Sequence, residues 1–113
     1  MLNNTAELKK HRLLQPLLQQ LENELRAEGL WQAVKPSQQA LASRAPFAID
    51  SLSFVQWLQF IFLSKMSELV LFSQPLPESM LLLPMATEYF KSLPVNSSEI
   101  IHIIASIDGL FTE

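Results

Sequence analysis

Apolar residues recur at helical spacing along the first quarter of the chain. Leu14, Leu18, Leu21 and Leu25 follow one another at intervals of four, three and four residues. This spacing places all four side chains on one face of an α-helix. The pattern predicts a helix from about Thr5 to Glu28 that buries this leucine stripe against the rest of the protein.

Two residues punctuate this first helix. Gly29 follows it directly, at the position where many helices end in a left-handed residue. Pro16 lies inside the pattern, where proline removes a backbone hydrogen bond and crowds the preceding turn. Either the helix kinks at Pro16, or residues 5–14 form a separate short helix and Pro16 lies in the first turn of the next one.

The most apolar segment is FVQWLQFIFLSKMSELVLF, residues 54–72, with thirteen apolar residues in nineteen. Asp50 and Ser51 precede it and are good N-cap residues, so we expect a helix over about 50–72. A membrane span is not expected, because polar residues interrupt every apolar run and the charges of Lys65 and Glu68 would lie deep in the bilayer.

Winding this segment as a helix leaves few polar positions on its surface. Trp57, Phe60, Leu63 and Leu71 fall on or beside the polar side, so the helix is apolar nearly all round. Such a helix is normally central and buried, with loops as its cover. Alternatively, these four side chains form an exposed patch that binds a partner.

The connector over residues 30–47 is predicted to be irregular. Pro36 and Ser37 favour a short helical turn over Gln38–Ala42. The connector carries Trp31, Leu41 and Phe47, which are large enough to plug into the core. Together with residues 76–85, it is the expected cover of the central helix.

The C-terminal part of the chain predicts two further helices. A proline-rich break at 73–79 is followed by a helix over about 84–92. The last helix is predicted over Ser97–Asp108, with Asn96 as its cap and Gly109 as its terminator. The chain is therefore expected to be a single all-α domain, residues 1–113, folded as a compact four- or five-helix bundle.

The composition excludes several classes of function but does not indicate a specific one. The chain has 113 residues, 49% of them hydrophobic, two glycines, no cysteine and a formal charge of −3. Thiolate chemistry and glycine-rich phosphate loops are therefore excluded, and a basic nucleic-acid-binding surface is not indicated. The N-terminal sequence does not match a secretory signal, which leaves the cytoplasm as the default location.

Candidate chemistry is sparse. His11 and His102 lie in different predicted helices without a carboxylate at metal-ligand spacing, and no motif marks a nucleophile and its base. No cofactor, metal or catalytic residue is expected, and we do not expect an enzyme. The basic run at residues 9–12 supports one alternative, an RNA-binding adaptor that uses Lys9, Lys10 and Arg12 with Arg26, Lys35 and Arg44.

The sequence over most of its length resembles the YqcC-like family of small bacterial proteins. The resemblance rests on PFAIDSLSFVQWLQFIFLSKM, on QPLP and LLLPMATEYF after it, and on LW and IDGLF near the two ends. Where the family commonly has proline and arginine, this chain has Ser64 and Lys65, which favours an uninterrupted helix to Phe72. The remaining pattern residues are expected to be structural: Trp31, Pro46, Phe47, Trp57, Leu58, Gln59, Pro75 and Pro77.

The resemblance implies a compact helical bundle without an established activity. Genes of this family often lie beside one for a tRNA pseudouridine synthase, which implies an accessory role in RNA modification. The expected function is thus a non-enzymatic protein–protein interaction or accessory module. Its expected partner is a tRNA pseudouridine synthase, another protein or a second copy of the chain, rather than a nucleic acid or a membrane.

Overall fold

The computed structural model describes residues 5–111, and within that range all regular structure is helical. The elements are α1 (Thr5–Ala27), α2 (Gln38–Leu41), a 3-10 helix (Pro46–Ala48), α3 (Phe54–Trp57), a π-helical segment (Leu58–Leu63), α4 (Ser64–Leu71), α5 (Leu83–Phe90) and α6 (Ser98–Gly109). From α3 to α4 the chain runs without a break, and we call residues 54–71 the central helix. Four long helices with α2 as a short fifth confirm the expected bundle. The ends of the single-domain prediction, residues 1–4 and 112–113, lie outside the described residues.

The leucine stripe of α1 forms one wall of the core. Leu14, Leu18, Leu21 and Leu25 are all buried, and they pack α1 against α6 and the central helix. The helix runs through Pro16 as a single element, so the alternative of two separate helices is wrong. Burial of the stripe on both sides of the proline offsets the hydrogen bond that the proline removes.

The first helix ends, and the central helix begins, through local hydrogen bonds. Gly29 has a φ of 72°, the left-handed conformation expected of a helix terminator. The central helix starts at Phe54, so the prediction of a start near residue 50 is wrong. Its cap is Ser53, whose hydroxyl accepts from the Gln56 backbone N–H while the Gln56 side chain accepts from the Ser53 N–H.

Asp50 and Ser51 do not cap the helix because their side chains have other partners. The Asp50 carboxylate accepts a hydrogen bond from the Ser43 hydroxyl. The Ser51 hydroxyl donates to the carbonyl oxygen of Ala40, 2.8 Å away. Both residues thus fasten the preceding connector, and residues 49–52 form a turn.

The π-helical segment changes which side chains of the central helix face the core. In a π-helix the hydrogen bonds run from i to i+5, so each turn holds an additional residue. Buried residues accordingly recur every four positions along two rows: Phe54, Leu58, Phe62 and Met66, with Val55, Gln59 and Leu63. Regular α-helical winding had placed Leu63 toward the polar side, whereas the wider turn rotates it into the core.

The last two helices follow their sequence signals in part. Pro84 lies in the first turn of α5, as predicted. Helix α6 begins at Ser98 with Ser97 at its N-cap position, so the prediction of Asn96 as the N-cap residue is wrong by one position. The Asn96 side chain still accepts from the Ser98 N–H at 3.3 Å. Gly109 is the last residue of α6, and its φ is not positive. It is therefore not the left-handed terminator that was expected. The next two residues continue into a tightened turn in which the Phe111 N–H donates to the Asp108 carbonyl oxygen at 2.9 Å.

Both connectors cover the core, as the sequence predicted. Trp31 and Phe47 from the first connector are partly buried against it. Leu76 and Leu82 from the connector after α4 are buried. The core-facing side of the central helix is therefore covered by α1, α5 and two irregular segments rather than by helices alone.

Candidate interaction surface

Trp57 lies at the middle of an aromatic cluster. Its ring stacks on those of Phe54 and Phe62, at centroid distances of 5.9 Å and 5.6 Å. The ring of Phe47 meets it edge-on at 4.9 Å. Aromatic pairs at these distances contribute stability beyond the area they bury. Trp57 is half-buried, and three aromatic rings of the same chain contact it.

The cluster is completed by a strained turn. Phe47 and Ala48 have φ angles of 55° and 50°, in the left-handed region that costs energy for residues other than glycine. Ala48 is buried, and Phe47 packs against the core. Packing of the Phe47 ring against Trp57 holds the turn in this conformation. Pro46 opens the 3-10 helix in which the turn lies.

The remaining three candidate interaction residues occupy different environments. Leu63 is 6% exposed and belongs to the core, so it is not available to a partner. Phe60 is half-buried on the less covered side of the π-helical segment, next to Ile61. Leu71 is 75% exposed at the end of α4. The structure therefore does not bring the four residues together as one patch.

Gln59 fastens the first connector to the central helix. Its side-chain oxygen accepts from the Gln32 backbone N–H at 2.9 Å, and its side-chain nitrogen donates to the Gln32 carbonyl oxygen at 2.8 Å. The neighbouring Trp31 ring lies 4.5 Å below the guanidinium of Arg26, in cation–π geometry. These contacts give Gln59 and Trp31 structural roles in the fold.

Buried His11 and partly exposed Glu7 hold the second connector. The ring nitrogens of His11 lie 2.8 Å from the Glu7 carbonyl oxygen and 2.7 Å from the Gln74 carbonyl oxygen. Nearby, the Glu7 carboxylate accepts from the N–H of Leu76 at 2.9 Å. Leu76 stands between Pro75 and Pro77, which lack an N–H of their own. His11 and Glu7 thus anchor this connector to α1.

Asp108 completes the set at the other end of the same connector. Its carboxylate is 4% exposed and accepts from the backbone N–H groups of Leu82 and Leu83, at 2.9 Å and 2.8 Å. These groups begin α5 and have no partner within that helix. Sequence analysis missed this role, because the cap comes from a residue 25 or 26 positions away.

A concave surface runs between α1 and α4, and we call it the α1–α4 furrow. Two adjoining hollows of 570 Å³ and 330 Å³ form it and share Gln15 and Val70. Leu71 lines the larger hollow and Leu8 the smaller one. Sequence analysis did not find this surface, because it depends on the antiparallel packing of two helices that are distant in the chain.

The basic residues of the alternative RNA-binding hypothesis do not lie on one face. Lys10 rests over the Phe111 ring at 5.6 Å, and Arg26 pairs with Glu22 at 2.9 Å while it covers Trp31. Arg12 lines the furrow, and Lys9 is exposed on α1 directly after Leu8. Lys10 and Arg12, two residues apart, therefore lie on different sides of α1.

The structure over residues 5–111 defines a small all-helical domain whose buried polar side chains fasten connectors. Within that range, no three histidine, aspartate or glutamate residues come together as metal ligands would. None of the described helices is both long and apolar enough to cross a bilayer.

The chain belongs to the family described as "DUF446: tRNA pseudouridine synthase C", whose family model matches residues 13–110. An uncharacterized protein of Haemophilus influenzae is 34% identical over 74 residues, which cover 66% of this chain and 70% of that protein. The uncharacterized protein YqcC of Escherichia coli is 27% identical over 85% of this chain and 88% of its own length. These relatives confirm the resemblance to the YqcC-like family, and their names carry no activity.

The fold is also shared with a solved relative. The solution NMR structure of YqcC from E. coli superposes with a TM-score of 0.77 at 27% identity, covering 90% of this chain and 87% of that one. A further relative is named tRNA pseudouridine synthase C, from Pectobacterium carotovorum. It is 37% identical over 59 residues, which are 52% of this chain but 16% of that protein.

Proposed function

We propose that this protein is a non-enzymatic accessory domain that binds a tRNA pseudouridine synthase. One observation carries the proposal. A segment similar to half of this chain occupies only 16% of the P. carotovorum protein named tRNA pseudouridine synthase C. Most of that protein lies outside the similar segment. A domain that is covalently joined to an enzyme in one organism is well suited to bind the same kind of enzyme as a separate chain in another.

The arrangement of polar side chains supports a binding role rather than catalysis. The described buried polar residues are His11, Gln59 and Asp108, and each is hydrogen-bonded to a backbone group of a connector. A general acid or base must reach a substrate, whereas these side chains face protein. The proposed role would be performed in the cytoplasm, where bacterial tRNA is modified.

The proposed contact surface is the less covered side of the π-helical segment. Phe60 and Ile61 are half-buried, while the other four residues of the segment are buried. π-Helical turns occur frequently at functional positions, and exposed apolar side chains supply much of the energy of protein interfaces. This surface keeps one of the originally expected residues, Phe60, and adds its neighbour.

The test combines the purified chain with the tRNA pseudouridine synthase of the same organism. We expect a stoichiometric complex by size exclusion with light scattering, and a changed rate of pseudouridine formation on tRNA when the chain is present. The chain alone should form no pseudouridine. If each protein elutes with the mass of the free protein and the rate is unchanged, the result would contradict the proposal.

A matched pair of variants tests the surface. Phe60→Gln should weaken the complex, whereas Val34→Gln, at an exposed position of the first connector, should not. Titration of the chain with tRNA at two salt concentrations tests the RNA-binding alternative. Phosphate contacts would give a steep salt dependence, and that result would favour the adaptor over the protein-binding role.

A further inference from the structure

One exposed stripe of α1 has the same residue spacing in both directions along the helix. Two of its mirror positions, Arg12 and Glu22, carry opposite charges. Its positions are separated by four, three, four, three and four residues, which is the spacing of a helix–helix seam. The stripe consists of Leu8, Arg12, Gln15, Gln19, Glu22 and Arg26. Its first five residues line the α1–α4 furrow. We call these six residues the α1 seam.

The four inner residues of the seam are self-complementary about its midpoint, and the outermost residues, Leu8 and Arg26, lie opposite each other. If a second α1 lies antiparallel to the first, with the twofold axis between Gln15 and Gln19, each residue meets its mirror position. Arg12 then faces Glu22 of the second copy, and Glu22 faces Arg12 of that copy. Gln15 faces Gln19 of the second copy, where the two amides can both donate and accept. A twofold contact of this kind repeats every favourable pair.

We propose that the α1–α4 furrow is a self-association surface that binds a second copy of this chain in antiparallel orientation. Arg12 forms no ion pair within residues 5–111, so its charge is available to the second copy. Glu22 has one carboxylate oxygen engaged by Arg26 and a second one that accepts from Arg12 of the second copy. Charge complementarity therefore selects a second copy as the occupant.

An apolar side chain reinforces the charged pairs. Leu71 is exposed at the rim of the 570 Å³ hollow, beside Gln15 and Gln19. In the twofold arrangement, Leu71 of each copy covers the middle of the other copy's seam. This contact gives an exposed leucine a buried environment, which the isolated chain does not supply.

The size of the surface sets the strength of the association. The seam spans 18 residue steps along α1, about 27 Å. The furrow face is two helices wide. The contact would therefore bury roughly 1,100 Å² of surface, summed over both copies, which is near the lower end of specific interfaces. The dimer is therefore weak and depends on concentration. It dissociates as salt rises, because its charged pairs lie near the surface.

Charge reversal tests the pairing directly. Arg12→Glu places two negative charges at each charged pair of the homodimer, and Glu22→Arg places two positive ones. Each variant alone should weaken dimerisation at least about tenfold, equivalent to 1.4 kcal/mol. An equimolar mixture of the two variants should recover the dimer, because the heterodimer has two opposite-charge pairs. The double variant Arg12→Glu/Glu22→Arg should recover it as well.

Sedimentation equilibrium of the full chain, from micromolar to millimolar concentration, measures these constants. Lys9→Glu is the matched control: it makes the same charge change in the same turn of α1, but off the seam, and should leave the dimer intact. Circular dichroism checks that each variant keeps its helices, since Glu22→Arg also removes the pair with Arg26. A wild-type chain that stays monomeric at all concentrations would overturn the proposal. So would a mixture without recovery, or an equal loss with Lys9→Glu.

Discussion

The buried carboxylate of Asp108 allows a sharp test of how the second connector is held. Asp108→Ala removes the acceptor of two backbone N–H groups, those of Leu82 and Leu83, at 2.9 Å and 2.8 Å. Leu82 is itself buried, so water cannot replace the lost acceptor there without opening the connector. The substitution therefore leaves at least one buried donor without a partner.

Two reference values bracket the expected loss of stability. Removing an N-cap side chain from a helix costs about 0.5–2 kcal/mol, whereas breaking a buried charged interaction costs about 3–5 kcal/mol. Asp108 has the geometry of the first case and the burial of the second, with 4% exposure. We expect Asp108→Ala to lower the free energy of unfolding by about 2–3 kcal/mol, a large part of the roughly 5–15 kcal/mol typical of a domain.

The asparagine variant separates the hydrogen bonds from the charge. Asp108→Asn retains one side-chain oxygen, which in the position of Oδ2 can still accept from both N–H groups, but its amide nitrogen then lies beside the Leu82 N–H as a second donor. Its loss should therefore be about half of the loss for alanine. Glu88→Ala is the control, because it removes an exposed carboxylate from α5 and should leave the unfolding midpoint nearly unchanged.

Guanidinium unfolding followed by far-UV circular dichroism measures all four proteins. A constant slope across the series would show that the midpoints report stability alone. Hydrogen exchange of the Leu82 and Leu83 amides should speed up in Asp108→Ala. The reasoning is refuted if Asp108→Ala is as stable as Glu88→Ala, or if asparagine and alanine cost the same.

Three further substitutions test the rest of the framework. Gln59→Leu should lower the free energy of unfolding by about 1–3 kcal/mol, because it leaves two Gln32 backbone groups unpaired; unchanged amide exchange at Gln32 would contradict this. Trp57→Ala should cost about 2–4 kcal/mol, somewhat less than a fully buried tryptophan, in thermal unfolding; a cost near zero would place the ring outside the core. Pro16→Ala should raise the unfolding free energy by about 1–3 kcal/mol, since interior proline opposes a helix. Gln20→Ala, exposed on the same helix, is its control. An unchanged free energy of unfolding in Pro16→Ala would mean that the proline is accommodated without cost, and a lower one that it stabilises the protein.

The candidate residues show where sequence reasoning succeeded and where it failed. Trp57 and Leu63 were placed together because uniform winding puts them on the same side of a helix. The π-helical segment separates them, and only Leu71 of the original four is fully exposed. The four-residue recurrence of apolar positions from Phe54 to Met66 was visible in the sequence. This recurrence could have suggested a π-helical turn, which holds more residues than an α-helical turn. A regular α-helix, however, explains most of the same positions.

The sequence by itself determined the class of the fold and most of its element boundaries. The leucine spacing of α1, the left-handed Gly29 and the first-turn Pro84 act through neighbours within a few residues, so local pattern reports them reliably. The cap of the central helix, predicted at Asp50 and Ser51 but formed by Ser53, was decided by contacts to other elements.

Only the tertiary structure decided which polar side chains are buried and what they bind. His11 meets Gln74 and Asp108 meets Leu82 across separations of 63 and 26 residues. The acceptor or donor on the other side is a backbone group, which every residue carries. No residue type therefore marks the partner in the sequence. The α1–α4 furrow arises in the same way, since two helices must first pack before the surface between them exists.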